Sequence, residues 1–253
     1  MARPTVVVTR PAEQAAPWVA ALQAHGWPAL ALPLLRIEPL LRPGSAPPWQ
    51  AGGGWDAVMV VSPAAVDVMR AAGWGPPPPP VRLWAPGEGT ARALRAWGVP
   101  APRIDCAPAE AERIDAEALW SVVAPQVRAG FALLVVRGDS EGAGQGREWL
   151  LQQVRAGAGR AEAVSVYRRR AASWDAHQQQ LARQAAAGGV WLLSSSEAAA
   201  YLPRVLPEGA WGQATALATH PRIAAVAQTL GFGRVLTTRP ALADVLQALE
   251  SMA

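Results

Sequence analysis

The sequence predicts an α/β protein: two flavodoxin-like, doubly wound parallel-sheet domains joined by a two-stranded linker. Short apolar runs of strand length alternate with helical segments, the pattern of parallel sheets covered on both faces. One strand–helix–strand plan also occurs twice. It runs from Val6–Val8 and Thr9–Arg10 through Gly26 to Leu30–Leu35, and again from Leu133–Val136 and Arg137–Gly138 through Gly157 and Gly159 to Ala163–Tyr167. A second plan is repeated as well: Ala57–Val61 runs into Ser62–Val66, and Val190–Leu193 runs into Ser195–Ala199. The plans alternate along the chain, so the chain must cross between two look-alike lobes twice, with a cleft and a double hinge. The expected boundaries are 1–36 with 172–253 for domain 1 and 40–168 for an inserted domain 2, with 37–39 and 169–171 as crossovers.

Each element has a local reason. Pro11 suits a helix start, Ala15, Trp18, Val19 and Leu22 recur at helical spacing, and Gly26 ends the segment. Leu30–Leu35 is expected as one buried strand. The Pro- and Gly-rich stretch from Pro39 to Gly54 disfavours both helix and central strand and marks a boundary. Strand Ala57–Val61, helix Ala64–Ala72, strand Val81–Ala85, helix Thr90–Trp97 and a short strand near Ile104 follow, with Pro76–Pro80 a stiff surface loop. Next come helix Ala111–Val123, strand Ala132–Val136, helix Arg147–Arg155 and strand Ala163–Tyr167, with Arg168–Ala172 as the second crossing. A polar helix around Gln178–Gln180 precedes strand Val190–Leu193, helix Glu197–Leu202 and strand Ala214–Ala218. Ile223, Val226, Ala227 and Leu230 mark a helix, Val235–Leu236 a strand, and Leu242, Val245, Leu246 and Leu249 the final helix.

At 253 residues the chain can bury a large core, as one domain or two. It shows neither an 18-residue apolar stretch nor a leader-like segment, so a cytoplasmic protein with no membrane partner is expected. The lone Cys106 excludes an internal disulfide and is expected as a buried thiol. All 23 Lys+Arg positions are arginine, which reads as codon bias in a GC-rich genome. The net charge of +4 favours anionic partners. Nucleic acid is not expected among them: the arginines are scattered apart from Arg168–Arg170, and few Tyr or Phe are available to stack bases.

In doubly wound sheets ligands bind beyond the carboxyl ends of the strands. That singles out Thr9–Arg10, Ser62–Pro63, Pro86–Thr90, Arg137–Gly138, Ser194–Ser196 and Thr219–Arg222. Small and hydroxylated residues with free N–H groups collect there, a way of holding carboxylates or phosphates. The loop Arg137–Gly146 sits where a dinucleotide fingerprint would, but Gly142, Gly144 and Gly146 lack the required spacing and no P-loop Lys follows. A loop closing on an anion fits better. His25, His177 and His220 have no ligand spacing, and no serine sits in a nucleophile elbow. From position alone, Tyr167 reads as an amphipathic strand-end residue with its hydroxyl in solvent; the functional alternative is a phenol facing the cleft as proton donor.

Taken together, Val6-Val-Val-Thr-Arg-Pro11, Val60-Val-Ser-Pro-Ala-Ala-Val66, Gly87-Glu-Gly-Thr-Ala91, Val135-Val-Arg-Gly138 and Val164-Ser-Val-Tyr-Arg168 resemble the uroporphyrinogen-III synthase family, in order and over nearly the whole chain. The resemblance implies a cofactor-free, metal-free lyase that cyclises hydroxymethylbilane, with loss of water and inversion of ring D. It implies Tyr167 as the catalytic acid. The substrate-binding set it implies, together with the strand-end reading, is Arg10, Ser62, Pro63, Ala64, Thr90, Arg137, Gly138, Ser195 and Ser196. A monomer is expected, and so is contact with the enzyme that makes the bilane. The second lobe departs from the pattern, with Ser195–Ser196 in place of Ser-Pro and Ile223 where a Thr is usual. A non-catalytic, two-lobed binding or sensor protein for a small polyanion is the competing reading, and a nucleotide-dependent enzyme a third.

Overall fold

The computed structural model describes residues 3–50, 52–108, 116–139 and 145–252. The chain opens with β1 (Val6–Val8), α1 (Ala12–Ala24), β2 (Ala29–Ala31) and β3 (Leu35–Pro39). Then follow β4 (Ala57–Val60), α2 (Pro63–Ala71), β5 (Arg82–Ala85), α3 (Glu88–Ala96), β6 (Ile104–Cys106), α4 (Ala116–Val123), β7 (Ala132–Asp139), α5 (Gln145–Ala156) and β8 (Arg160–Ala171). The last stretch holds α6 (Ala176–Ala186), β9 (Val190–Leu193), α7 (Ser196–Ala199), α8 (Leu202–Val205), β10 (Thr215–Ala218), α9 (Pro221–Thr229), β11 (Arg234–Thr237) and α10 (Leu242–Glu250). Among the described residues no helix is long and apolar enough to cross a membrane.

The chain gathers into two compact units, residues 1–36 with 170–253, and residues 37–169. The first holds a five-stranded parallel sheet in the order β11-β10-β9-β1-β2. Val6, Val7 and Val8 have no exposed surface, because helices cover both faces of the sheet. Val6, Val8, Leu192 and Leu217 pack with Leu22 of α1 and with Val245 and Leu249 of α10. On the other face Trp191 meets Trp211 edge-on at 4.9 Å between ring centroids. Burying an aliphatic side chain of this kind stabilises by about 1.5–3 kcal/mol.

The second unit holds the sheet β3-β8-β7-β4-β5-β6, parallel from β8 to β6. Strand alternation divides its core. Val58, Val60, Leu134 and Val136 face Val66 and Met69 of α2 and Leu94 of α3. Ala57, Met59, Leu133 and Val135 face Leu119 of α4 and Leu150 and Val154 of α5. Both crossings are strands: Leu40 N–H donates to Val166 O at 2.9 Å and Ala172 N–H to Leu34 O at 2.9 Å, so β3 and β8 run in opposite directions.

Several expectations need correction. Leu30–Leu35 is not one strand, since β2 stops at Ala31 and β3 begins at Leu35, with Pro33 between them. Proline has no N–H to give a ladder, so the apolar run breaks there. The extended chain then continues through the expected crossover 37–39 to Pro39, and it pairs as the sixth strand of the second unit's sheet. The strand ending at Tyr167 carries on through Arg168–Arg170 to Ala171. Helix Glu197–Leu202 is split into α7 and α8 around Ala200–Tyr201. Cys106 is half-buried rather than buried, packed beside the α2/α3 core. Positions 111–115 of one expected helix, and Gly142 and Gly144 of the glycine loop, lie outside the described residues.

Candidate active site at the strand ends

Ser62 follows β4 and caps α2, its Oγ accepting the Ala65 N–H at 3.2 Å. Its extended backbone (φ −160°, ψ 157°) turns the chain from strand into helix. Pro63 takes the first helical position, where its missing N–H costs nothing, and Ala64 follows in the same turn. The first turn of α3 lies alongside: a Cβ placed on Gly89 would sit 3.9 Å from Pro63 Cγ. Thr90, in that turn, is 4 % exposed.

Tyr167 joins this group from β8. Its ring has no exposed surface, and its Oη lies 3.0 Å from Ser62 Oγ. The solvent-facing reading of this hydroxyl is therefore wrong. Gly138 explains how the ring fits. It is the register partner of Tyr167 across β7 and β8, beside an irregularity at Arg137/Gly138. A Cβ on Gly138 would collide with Cε2, Cζ and Oη of the phenol. The absent side chain is the space that the ring fills. Arg169, two residues further along β8, donates from Nη2 to Tyr167 Oη at 3.0 Å, with its Cζ 5.5 Å from the ring centroid. Sequence reading passed over Arg169 as one of three linker arginines; its i, i+2 spacing from Tyr167 on a strand, which puts both on one face, was the available signal.

The first unit repeats part of this arrangement. Ser195 caps α7, its Oγ accepting the Ala198 N–H at 3.2 Å, and Ser196 starts the helix where the other unit has Pro63. His220 caps α9 through Nδ1, which accepts the Arg222 N–H at 3.1 Å. Ile223 occupies the place of Thr90 and is buried. Thr9 is also buried and ties β1 to β9, its Oγ1 donating to Leu192 O at 2.7 Å.

The strand-end arginines differ. Arg137 Nη1 forms an ion pair with Glu148 Oε1 at 2.9 Å. Arg10 stacks its Cζ 4.4 Å over the Trp18 ring, and its buried Nε has no hydrogen-bond partner. Burial pushes the Arg10 pKa below its ordinary value, yet a guanidinium stays protonated. The structure thus brings Ser62, Pro63, Gly138 and Tyr167 together with Arg169, sets Thr90 in the adjoining turn, and places Arg10, Ser195 and Ser196 on the other unit. Among the described residues no three His, Cys, Asp or Glu side chains gather as a metal site would require.

Comparison with known proteins bears on the fold and the family. A solved uroporphyrinogen-III synthetase from Helicobacter pylori matches with a TM-score of 0.64 at 16% identity, covering 99% of this chain and 100% of that one. A mutant uroporphyrinogen III synthase from the extremely thermophilic bacterium Thermus thermophilus matches with a TM-score of 0.54 at 14% identity, covering 98% of each chain. At these identities the likeness concerns the fold. The family model described as uroporphyrinogen-III synthase HemD matches residues 16–247. The chain therefore belongs to the uroporphyrinogen-III synthase family, cyclising lyases of tetrapyrrole biosynthesis.

Proposed function

We propose that this chain closes hydroxymethylbilane into uroporphyrinogen III, with Tyr167 as the source of the proton that lets the terminal hydroxyl leave as water. The observation that supports this most is the hydrogen bond between Tyr167 Oη and Ser62 Oγ at 3.0 Å, at the carboxyl end of the sheet. Pyrrole nitrogens supply the electronic push as the C–O bond breaks, producing a cation-like azafulvene. Attack by the substituted carbon of ring D gives a spiro intermediate, which fragments and recloses inverted. A positioned acid contributes on the order of 10²–10⁴ to such a step. Holding the folded conformer is the larger task, because the free chain closes without inversion.

The bilane carries acetate and propionate groups on every ring, and the strand ends offer matching groups. Arg10 and Arg137 provide guanidinium N–H donors. The helix turns beginning at Ser62–Pro63–Ala64, at Ser195–Ser196 and around Thr90 provide backbone N–H groups aimed at anions. Gly138 keeps the phenol in place. The two compact units, in this reading, are the two domains of the enzyme, with β3 and β8 as the crossovers. The protein works in the cytoplasm as a monomer and takes the bilane from the enzyme that makes it.

The test is to supply freshly made hydroxymethylbilane and to separate the macrocycles by chromatography. The proposal expects the type III isomer in excess and formed faster than spontaneous closure. Type I alone, at the spontaneous rate, would contradict it; tight binding of the bilane with no acceleration would instead mark a carrier.

A further inference from the structure

Resting on that reading, we infer that Ser62 is the hydroxyl that meets the leaving group, and that Tyr167 acts through it from behind. The phenol is completely enclosed, whereas Ser62 is only partly buried. The two hydroxyls carry two protons and share one hydrogen bond, so one O–H is left over. On Tyr167 that proton would point into packed side chains, with Gly138 against the ring. Ser62, being only partly buried, is the side chain of the two with exposed surface. Arg169 favours the second. Its Nη2–H already donates to the phenol oxygen, so the direction we assign has Tyr167 donating its own proton to Ser62 Oγ. Ser62 Oγ also accepts the Ala65 N–H at the start of α2, where the helix's partial positive charge makes its O–H a better donor.

The proton count closes. As the C–O bond of the bilane breaks, its electron pair stays on oxygen, which takes the Ser62 proton and leaves as water. Ser62 takes the Tyr167 proton, and the resulting phenolate faces the Arg169 guanidinium. The proton released from the free α-carbon of ring D on final reclosure returns through Ser62 to the phenolate. Ser62 is thereby the catalytic hydroxyl; Tyr167 is the proton reserve and Arg169 a positioning residue.

The experiment compares single-turnover closure of hydroxymethylbilane by the full chain and by Ser62→Asn, Ser62→Thr and Tyr167→Phe, each also in mixtures of light and heavy water. Asn keeps the helix cap but has no transferable proton, while Thr keeps both. The inference expects a kcat loss of about 10² for Ser62→Asn with KM little changed, recovery to within about threefold for Ser62→Thr, and no further loss when Tyr167→Phe is added to Ser62→Asn. The wild-type rate should bow downward with deuterium fraction, as two moving protons require, and become linear in Tyr167→Phe. If Ser62→Asn keeps full kcat while Tyr167→Phe loses it, the proton passes directly from the phenol and this inference fails, with the synthase reading intact. Loss in Ser62→Asn and Ser62→Thr alike, in protein that still unfolds cooperatively, also overturns it. Failure of the wild-type chain to make the type III isomer would instead remove the underlying reading.

Discussion

The strand ends of the two units share one backbone plan and carry different side chains on it. Ser62 and Ser195 cap their helices at the same 3.2 Å, each two residues beyond a central strand. Val60 pairs with Val136, which precedes Arg137; Leu192 pairs with Val8, so Leu193 lies level with Thr9, which precedes Arg10. Arg137 and Arg10 therefore occupy equivalent places. Arg137 is neutralised by Glu148, and its unit carries the hydroxyl pair Ser62–Tyr167. Arg10 has a tryptophan beneath it, and its Nε has no hydrogen-bond partner. In the proposed reading the difference divides the labour of a duplicated scaffold by side chain, with proton transfer assigned to residues 37–169 and charge to the other unit.

The sharpest way to break this division is Tyr167→Phe, which removes the proton and leaves the ring that fills the space over Gly138. Macrocycle formation should slow by about 10² or more while bilane affinity holds. An unchanged rate would leave the phenol with packing alone.

That prediction depends on a feature that sequence reading placed only in part. That Tyr167 belongs to a strand was legible, because Ala163–Tyr167 is an apolar run; that the strand runs on past it to Ala171 was not. Nor was the enclosure of Tyr167. The space around the ring comes from Gly138, far earlier in the chain, and from an irregularity in the β7/β8 register that no local pattern encodes. The sheets were legible because buried parallel strands read as unbroken apolar runs, as at Val6–Val8 and Leu133–Val136. The same uniformity hid the break at Pro33, where apolar residues on both sides give no change of period. Arg168–Arg170 was legible as the second crossing, but not as a continuation of the strand that carries Tyr167. Arg10 was legible by place, but its stacking on Trp18 could not be told from the pairing of Arg137 with Glu148.

Charge is the next point of attack. Arg10→Gln should weaken binding of a linear tetrapyrrole by about tenfold or more, the worth of a hydrogen bond between charged groups. Arg137→Gln should weaken it by less, because Glu148 already answers that cation and exposed ion pairs are worth about 0–1 kcal/mol. Calorimetric titration of both variants compares them directly; equal losses would erase the distinction between the units. The Arg10 variant should also be no less stable without ligand, since a desolvated cation has been removed.

Gly138→Ala sharpens the geometry. The added methyl meets the phenol, so the fold should lose about 1–3 kcal/mol in urea unfolding and turnover should fall with it. Full stability would mean that the ring can move aside at no cost. The smallest effect is expected at Ser195→Ala, which removes a helix cap worth about 1 kcal/mol and no proton donor of the Ser62–Tyr167 kind. Thermal unfolding would register that change as a drop of a few degrees.

The division itself is tested most directly by saturation kinetics of type III macrocycle formation, with Tyr167→Phe and Arg10→Gln measured side by side. The account predicts that Tyr167→Phe lowers kcat with KM nearly constant and that Arg10→Gln raises KM with kcat nearly constant. A fall in kcat for Arg10→Gln as deep as that for Tyr167→Phe, or a Tyr167→Phe effect confined to KM, would contradict it.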